Sequence, residues 1–140
     1  MRRRAYTLLE LIVVMTIAAI LLALAAPRFT ALRNTSSVRA AIGELAAAFS
    51  AARSEAITRR TSVAVVIDAA GGSIELRAAG TRVLHRSLAR MYGVTLATNR
   101  DSIVYDARGL GYGLSNLSVT VRRGGIVDTL TMSRLGRVRW

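Results

Sequence analysis

The chain has 140 residues, 52% of them apolar and none of them Cys, which excludes global disorder, disulfide staples and thiolate metal sites. Its formal net charge is +12 and all 20 basic residues are Arg, so its partners are expected among phosphates and other anions. A single His, at position 85, and eight acidic residues scattered along the chain offer no ligand set for a metal and no acid–base pair. Neither an enzyme nor a cofactor is expected.

Residues 1–5 form a basic leader, Met1-Arg2-Arg3-Arg4-Ala5, and the next stretch, Tyr6 to Ala26, is interrupted only by Thr7, Glu10 and Thr16. As a helix, about 20 such residues span ~30 Å, the thickness of a bilayer hydrocarbon core. The arginines ahead of it predict a cytoplasmic N-terminus and a translocated remainder. A secretory signal is one reading, with Ala23, Ala25 and Ala26 imitating a cleavage site. A plain signal anchor is another. Neither accounts for Glu10, because a carboxylate inside a membrane is costly and calls for a partner.

Pro27 lacks an N–H and is expected to kink or loosen the helix. Arg28 and Arg33 mark the exit from the bilayer, and Asn34–Ser37 either caps a new helix or continues the old one. Val38, Ile42, Leu45, Phe49, Ala52 and Ala56 then recur at spacings of four and three, one apolar stripe with Arg39, Arg53, Arg59 and Arg60 outside it. The stripe is expected to pack on the chain's own sheet, and over part of its length a heptad-like stripe can also seat neighbouring copies.

Beyond Arg60 the period falls to two. Ser62–Asp68 and Ser73–Ala78 read as a hairpin around Gly71-Gly72. Arg82–Leu88, Gly93–Thr98 and Ser102–Asp106 are further strands. Asn116–Arg122 and Ile126–Ser133 flank Gly124-Gly125 as a second hairpin, and Leu135–Trp140 adds a terminal strand. The glycines of Gly109–Gly113 lack the strand-to-helix setting of a dinucleotide loop and read as a flexible connection. The fold class is therefore α+β: a long N-terminal helix, half membrane anchor and half amphipathic, followed by a small β-sheet or β-sandwich head. Its parts are a leader (1–5), an apolar helix (6–27), an amphipathic continuation (28–60) and the β-rich head (61–140).

Five Arg against one Asp lie between Arg122 and Trp140. In a strand Arg137 and Arg139 share one face, ~7 Å apart, with Val138 and Trp140 on the other. Two readings stand: a solvated outer face over a packed Val138/Trp140 inner face, or a phosphate clamp extended by Arg134, Arg122 and Arg123.

The stretch Ala5-Tyr6-Thr7-Leu8-Leu9-Glu10 resembles the class III signal of type IV pilins and type II secretion pseudopilins. The resemblance implies cleavage by a prepilin peptidase between Ala5 and Tyr6, N-methylation of Tyr6, and a role for Glu10 and Pro27 in assembly. In that family Gly stands where this chain has Ala5. Ala52–Ile57, Asp106-Ala107-Arg108-Gly109 and the ending Gly136-Arg137-Val138-Arg139 resemble the GspH/FimT branch of minor pilins. Its members imply two alternative functions. FimT-like subunits of type IV pili use a G-R-x-R tail in DNA capture during natural transformation. GspH pseudopilins instead belong to the tip of a type II secretion piston. The implied partners are other pilin or pseudopilin subunits, the peptidase, the inner membrane and double-stranded DNA. The implied location is the bacterial inner membrane, single-pass, with a periplasmic head.

Co-expression with a prepilin peptidase is expected to yield a mature chain that starts at Tyr6, and Ala5→Gly to speed the cut. Mass spectrometry that finds only intact chain, or a cut near Ala26, rejects this signal.

Overall fold

The computed structural model describes residues 7–112, 116–133 and 137–140. The leader with Ala5, the cleavage partner Tyr6, Arg134, Gly113 and the first part of the expected terminal strand lie outside the described residues. The chain divides into two units, Met1–Arg33 and Asn34–Trp140, with helix α1 (Leu8–Arg59) contributing to both.

Thr7 opens α1. Its Oγ1 accepts the Glu10 N–H at 3.2 Å and its carbonyl the Leu11 N–H at 3.2 Å, so Thr7-x-x-Glu10 has the form of a capping box. The helix continues through Pro27 and through Asn34–Ser37, so neither the proline nor the polar cluster ends it. Where an apolar helix carries hydroxyls, they bond back to its own turns: Thr16 Oγ1 to the Ile12 carbonyl at 2.7 Å, and Thr30 Oγ1 to the Ala26 carbonyl at 3.2 Å. Every described residue of the first unit is exposed, including the large apolar side chains from Leu8 to Leu24. This is the one helix, among the described residues, long and apolar enough to cross a membrane.

In the second unit the stripe behaves as its spacing predicts. Val38, Ile42, Leu45, Phe49, Ala52 and Ala56 are buried, joined by Ala41, Ala46 and Ala48. Two antiparallel sheets complete the core. One has five strands in the order β3-β2-β1-β5-β6: β1 (Val63–Asp68), β2 (Ser73–Ala78), β3 (Thr81–Ser87), β5 (Ser102–Tyr105) and β6 (Gly111–Tyr112). The other has four, β4-β7-β8-β9: β4 (Thr95–Thr98), β7 (Leu117–Arg123), β8 (Ile126–Met132) and β9 (Val138–Arg139).

Registers explain which side chains are inside. Val63 pairs with Ala78 and Tyr105, Val65 with Leu76 and Ile103, and Ile67 with Ile74, so one face of the first sheet is continuously apolar. In the second sheet Leu117 pairs with Met132, Val119 with Leu130 and Val121 with Leu96. All these residues join one core with the α1 stripe, and the Tyr105 hydroxyl donates to Met132 Sδ at 2.9 Å, linking the two sheets. Burial pushes the Tyr105 phenol up to about 12, against a smaller opposing influence of Arg53.

Two expectations are corrected. Leu88 does not finish a strand; it starts a short helix, α2 (Leu88–Tyr92), and is itself buried. Five residues are too few to display a helical period, and the close at Gly93, in the left-handed region, looks like any turn. Nor is the glycine-rich run simply a connection, because Gly111–Tyr112 is a strand paired with Val104 and Tyr105. The turn before it is tightly bonded. Asp106 Oδ1 accepts the Arg108 and Leu110 N–H groups, each at 2.9 Å, and Oδ2 accepts Arg108 Nε at 3.1 Å. Gly109 sits there at φ +76°, and a Cβ on it would lie 2.7 Å from Ile57 Cδ1 and 3.1 Å from Arg53 Cγ. The turn is thus pressed onto α1 at a place where only glycine fits.

Gly109→Ala is expected to cost about 1–3 kcal/mol, read as a lower melting temperature. The Leu110 N–H, aided by Arg108 and opposed in part by burial, holds the Asp106 carboxyl below its ordinary range. A depressed folded pKa contributes stability that is present above the ordinary value and is lost as pH falls through the folded one. Wild type should therefore exceed Asp106→Asn in stability at pH 7, with the gap closing below about pH 4. A gap that stays constant from pH 7 to pH 3 rules out the carboxylate as the tie.

Candidate assembly helix and anion-binding groove

The sequence singled out two regions, and the structure treats them differently. Glu10 lies in the first turn of α1, exposed, its backbone engaged by Thr7. A carboxylate there favours the positive end of the helix dipole, which is a local reason for its presence beside any partner it meets in a filament. The signal for this cap is in the sequence, since Ser/Thr-x-x-Glu ahead of an apolar run is a recognisable helix start. Pro27 is interior to the helix and, like its neighbours, exposed.

The basic residues near the end of the chain separate into two groups. Arg137 and Arg139 are exposed and together line a groove of about 680 Å³ against the flank of α1. Ser50, Arg53 and Ser54 form the helical wall, with Ile57 beside them and the buried ring of Phe49 at the floor. On their other side the same two arginines line a smaller hollow of about 390 Å³ with Asn116, Thr131 and Ser133. The segment is held by its backbone: Ser133 N–H donates to the Arg137 carbonyl at 2.9 Å, and Arg137 N–H to Ser133 Oγ at 3.3 Å. Val138 and Arg139 then pair with Met132 and Thr131. Among the described residues no carboxylate forms an ion pair with Arg53, Arg137 or Arg139; the ion pairs are Arg59–Glu55, Arg77–Glu75, Arg86–Glu44 and Arg108–Asp106. Three guanidiniums therefore have their hydrogen-bonding capacity to offer an anion.

Arg122 and Arg123 do not join them. Arg122 is exposed and shares the outer face of the second sheet with Arg139, but it pairs with Val127 whereas Arg139 pairs with Thr131. Four residues of strand, ~13 Å, separate those positions. Arg123 is half-buried, and its guanidinium donates to Ser37 Oγ at 2.7 Å and to the Tyr92 carbonyl, tying β7 to α1 and to the end of α2. Arg53 is the member the sequence did not reveal, for it is separated from Arg137 by most of the chain. Trp140 is the other surprise. On one of the two readings of the sequence it packs inside with Val138; it is instead 68% exposed, just past the end of β9 at Arg139.

The described residues hold one helix long and apolar enough to cross a membrane, followed by an α+β head of two antiparallel sheets. Comparison makes this specific. Residues 41–136 match the family model for the type II transport protein GspH, and residues 1–26 match the prokaryotic N-terminal methylation motif. The chain belongs to the GspH family and is a minor pilin or pseudopilin. The GspH match stops just short of Arg137. Two crystal forms of the type IV minor pilin FimU from Pseudomonas aeruginosa share the fold. In one the TM-score is 0.64 at 19% identity, covering 75% of this chain and 88% of FimU; in the other it is 0.59 at 18%, covering 72% and 90%. No curated protein sequence matches significantly. Membership implies assembly with other pilin subunits and recognition by a prepilin peptidase.

We propose that Glu10 supports assembly, its carboxylate meeting the free amine of Tyr6 in an adjacent mature subunit, since a charge buried without a partner is heavily penalised. Glu10→Ala should leave insertion and the melting of the head unchanged while reducing incorporation into filaments severalfold. Wild-type incorporation of the variant eliminates the pairing.

Proposed function

We propose that this chain is a FimT-like minor pilin of a type IV pilus, anchored in the inner membrane with a periplasmic head, and that it binds DNA through Arg137 and Arg139. The observation that carries this reading is the groove, where those two arginines meet Arg53 and, among the described residues, none of the three is ion-paired with a carboxylate. Arg suits the role because its planar fork binds phosphate oxygens in pairs and never loses its charge. A net charge of +12 adds long-range attraction. Among the described residues the head offers no recognition helix for the major groove, so phosphate contacts dominate and sequence preference is weak. A single head then binds in the micromolar range or more weakly at physiological salt, and repeated subunits along a filament supply avidity.

The test titrates the full chain in a nonionic detergent with duplex DNA at several salt concentrations. Arg137→Gln with Arg139→Gln should weaken binding about tenfold or more at low salt and reduce the log–log salt slope by roughly two, with the melting temperature unchanged. Arg90→Gln, an exposed charge elsewhere, should have little effect. Arg123→Gln should behave in the opposite way, lowering the melting temperature by several degrees through loss of its ties to Ser37 and Tyr92. Equal losses from Arg90→Gln and the Arg137/Arg139 pair mean diffuse attraction and no site. A chain that binds no DNA at low salt favours the second reading, a structural pseudopilin of a type II secretion system, which the description of the matching family supports.

A further inference from the structure

A site for phosphate alone needs no exposed aromatic ring, yet the groove has one. Trp140 lines it together with Arg53, Arg137 and Arg139, and its ring is 68% exposed. Ile57, 47% exposed, lines the same groove. Leaving a large indole in water forgoes the burial that usually keeps such a side chain inside. The groove thus combines cationic groups for phosphates with apolar surface that a phosphate cannot use.

Its shape narrows the ligand further. About 680 Å³ of open groove, walled by α1 on one side and residues 137–140 on the other, is large enough for a nucleotide as well as for a phosphate. A duplex presents a convex phosphate surface with its bases stacked inside, where an indole cannot reach them. An unpaired nucleotide can enter such a groove. Its phosphate meets guanidiniums, the serine hydroxyls at Ser50 and Ser54 offer further hydrogen bonds, and its base has a π face for Trp140. Arg137 and Arg139, two residues apart in an extended segment, are spaced ~7 Å, comparable to the step between successive phosphates of a stretched single strand.

Resting on the nucleic-acid reading above, we infer that the groove is a site for single-stranded DNA, or for the frayed end of a duplex: Trp140 stacks on an unpaired base while Arg53, Arg137 and Arg139 hold the flanking phosphates. The preference arises because stacking is available only to a base outside a helix, whereas phosphate contacts are available to both forms.

Trp140 is the only Trp in the chain, so indole fluorescence, excited beyond the tyrosine absorption band, reports on this site alone. The experiment adds a short oligothymidylate to the full chain in nonionic detergent. In parallel it adds a duplex of equal length closed at both ends by non-nucleotide linkers. Expected are fluorescence quenching by the single strand and not by the closed duplex, and tighter binding of the single strand by anisotropy of a labelled probe. Trp140→Ala should weaken single-strand binding about five- to a hundredfold and leave duplex binding unchanged. Trp140→Phe should restore most of the loss, which a purely structural role for the ring would not produce selectively. Arg53→Gln should weaken both ligands without lowering the melting temperature.

Equal binding of the two ligands, unaffected by Trp140→Ala, overturns the single-strand site while leaving phosphate-mediated DNA binding in place. Failure of both ligands to bind at low salt overturns both readings together. A blue shift of Trp140 on adding phosphatidylglycerol to the micelles, with no response to the oligonucleotide, overturns the site in favour of a lipid surface.

Discussion

The alanine-rich stripe of α1 is the surface on which both sheets close. Ala41, Ala46, Ala48, Ala52 and Ala56 are buried there with Ile42, Leu45 and Phe49, in one core with the inward residues of both sheets. Neither sheet has a second covered face of its own. Each alternates buried apolar residues with more exposed ones, and without the helix its buried apolar face would lie in water. Burying Phe49 completely, at 0% exposure, makes it a main strut of this arrangement.

The polar ties of the head also converge on the helix. Arg86 on β3 reaches Glu44 at 3.0 Å, Arg123 on β7 reaches Ser37, and the Asp106 turn presses Gly109 against Ile57 and Arg53. These contacts lie at the rim of the apolar core, where exposed ion pairs contribute little to stability but help to fix which edge of each sheet meets which turn of the helix. The groove follows from that placement. Arg53 stands half-buried beside the buried Ala52, its stem alongside the Asp106 turn, and the segment carrying Arg137 and Arg139 comes back past the same helical turns. A binding site made in this way depends on the core for its geometry and on solvent for its charge.

The N-terminal part of α1 obeys a different rule. It buries none of its apolar side chains within the chain, and its threonine hydroxyls are satisfied locally, Thr7 at the cap and Thr16 and Thr30 bonded back to the preceding turn. That is the economy required of a helix whose surroundings supply no water, since an unmet hydrogen-bonding group in hydrocarbon is expensive. The family's filament role gives those apolar side chains their surroundings, in the membrane before assembly and among neighbouring helices after it. A helix built like this can serve both, because each environment demands an apolar surface and internal hydrogen bonding.

Periodicity alone determined much of this protein. The unbroken apolar run, the stripe from Val38 to Ala56 and the two-residue alternation around the glycine hairpins are local patterns, and local patterns reveal which face of an element is buried. Short elements escaped for the same reason: α2 spans less than two turns, and β6 has two residues whose strand character comes entirely from pairing with β5. Tertiary structure alone decided the division of the arginines. In the sequence Arg123 and Arg137 are equivalent charges near the end of the chain. Only the register of β7 and the path of α1 turn one inward onto Ser37 and leave the other in an open groove beside Arg53. Partners so far apart along the chain are chosen by packing, which no spacing of residues encodes.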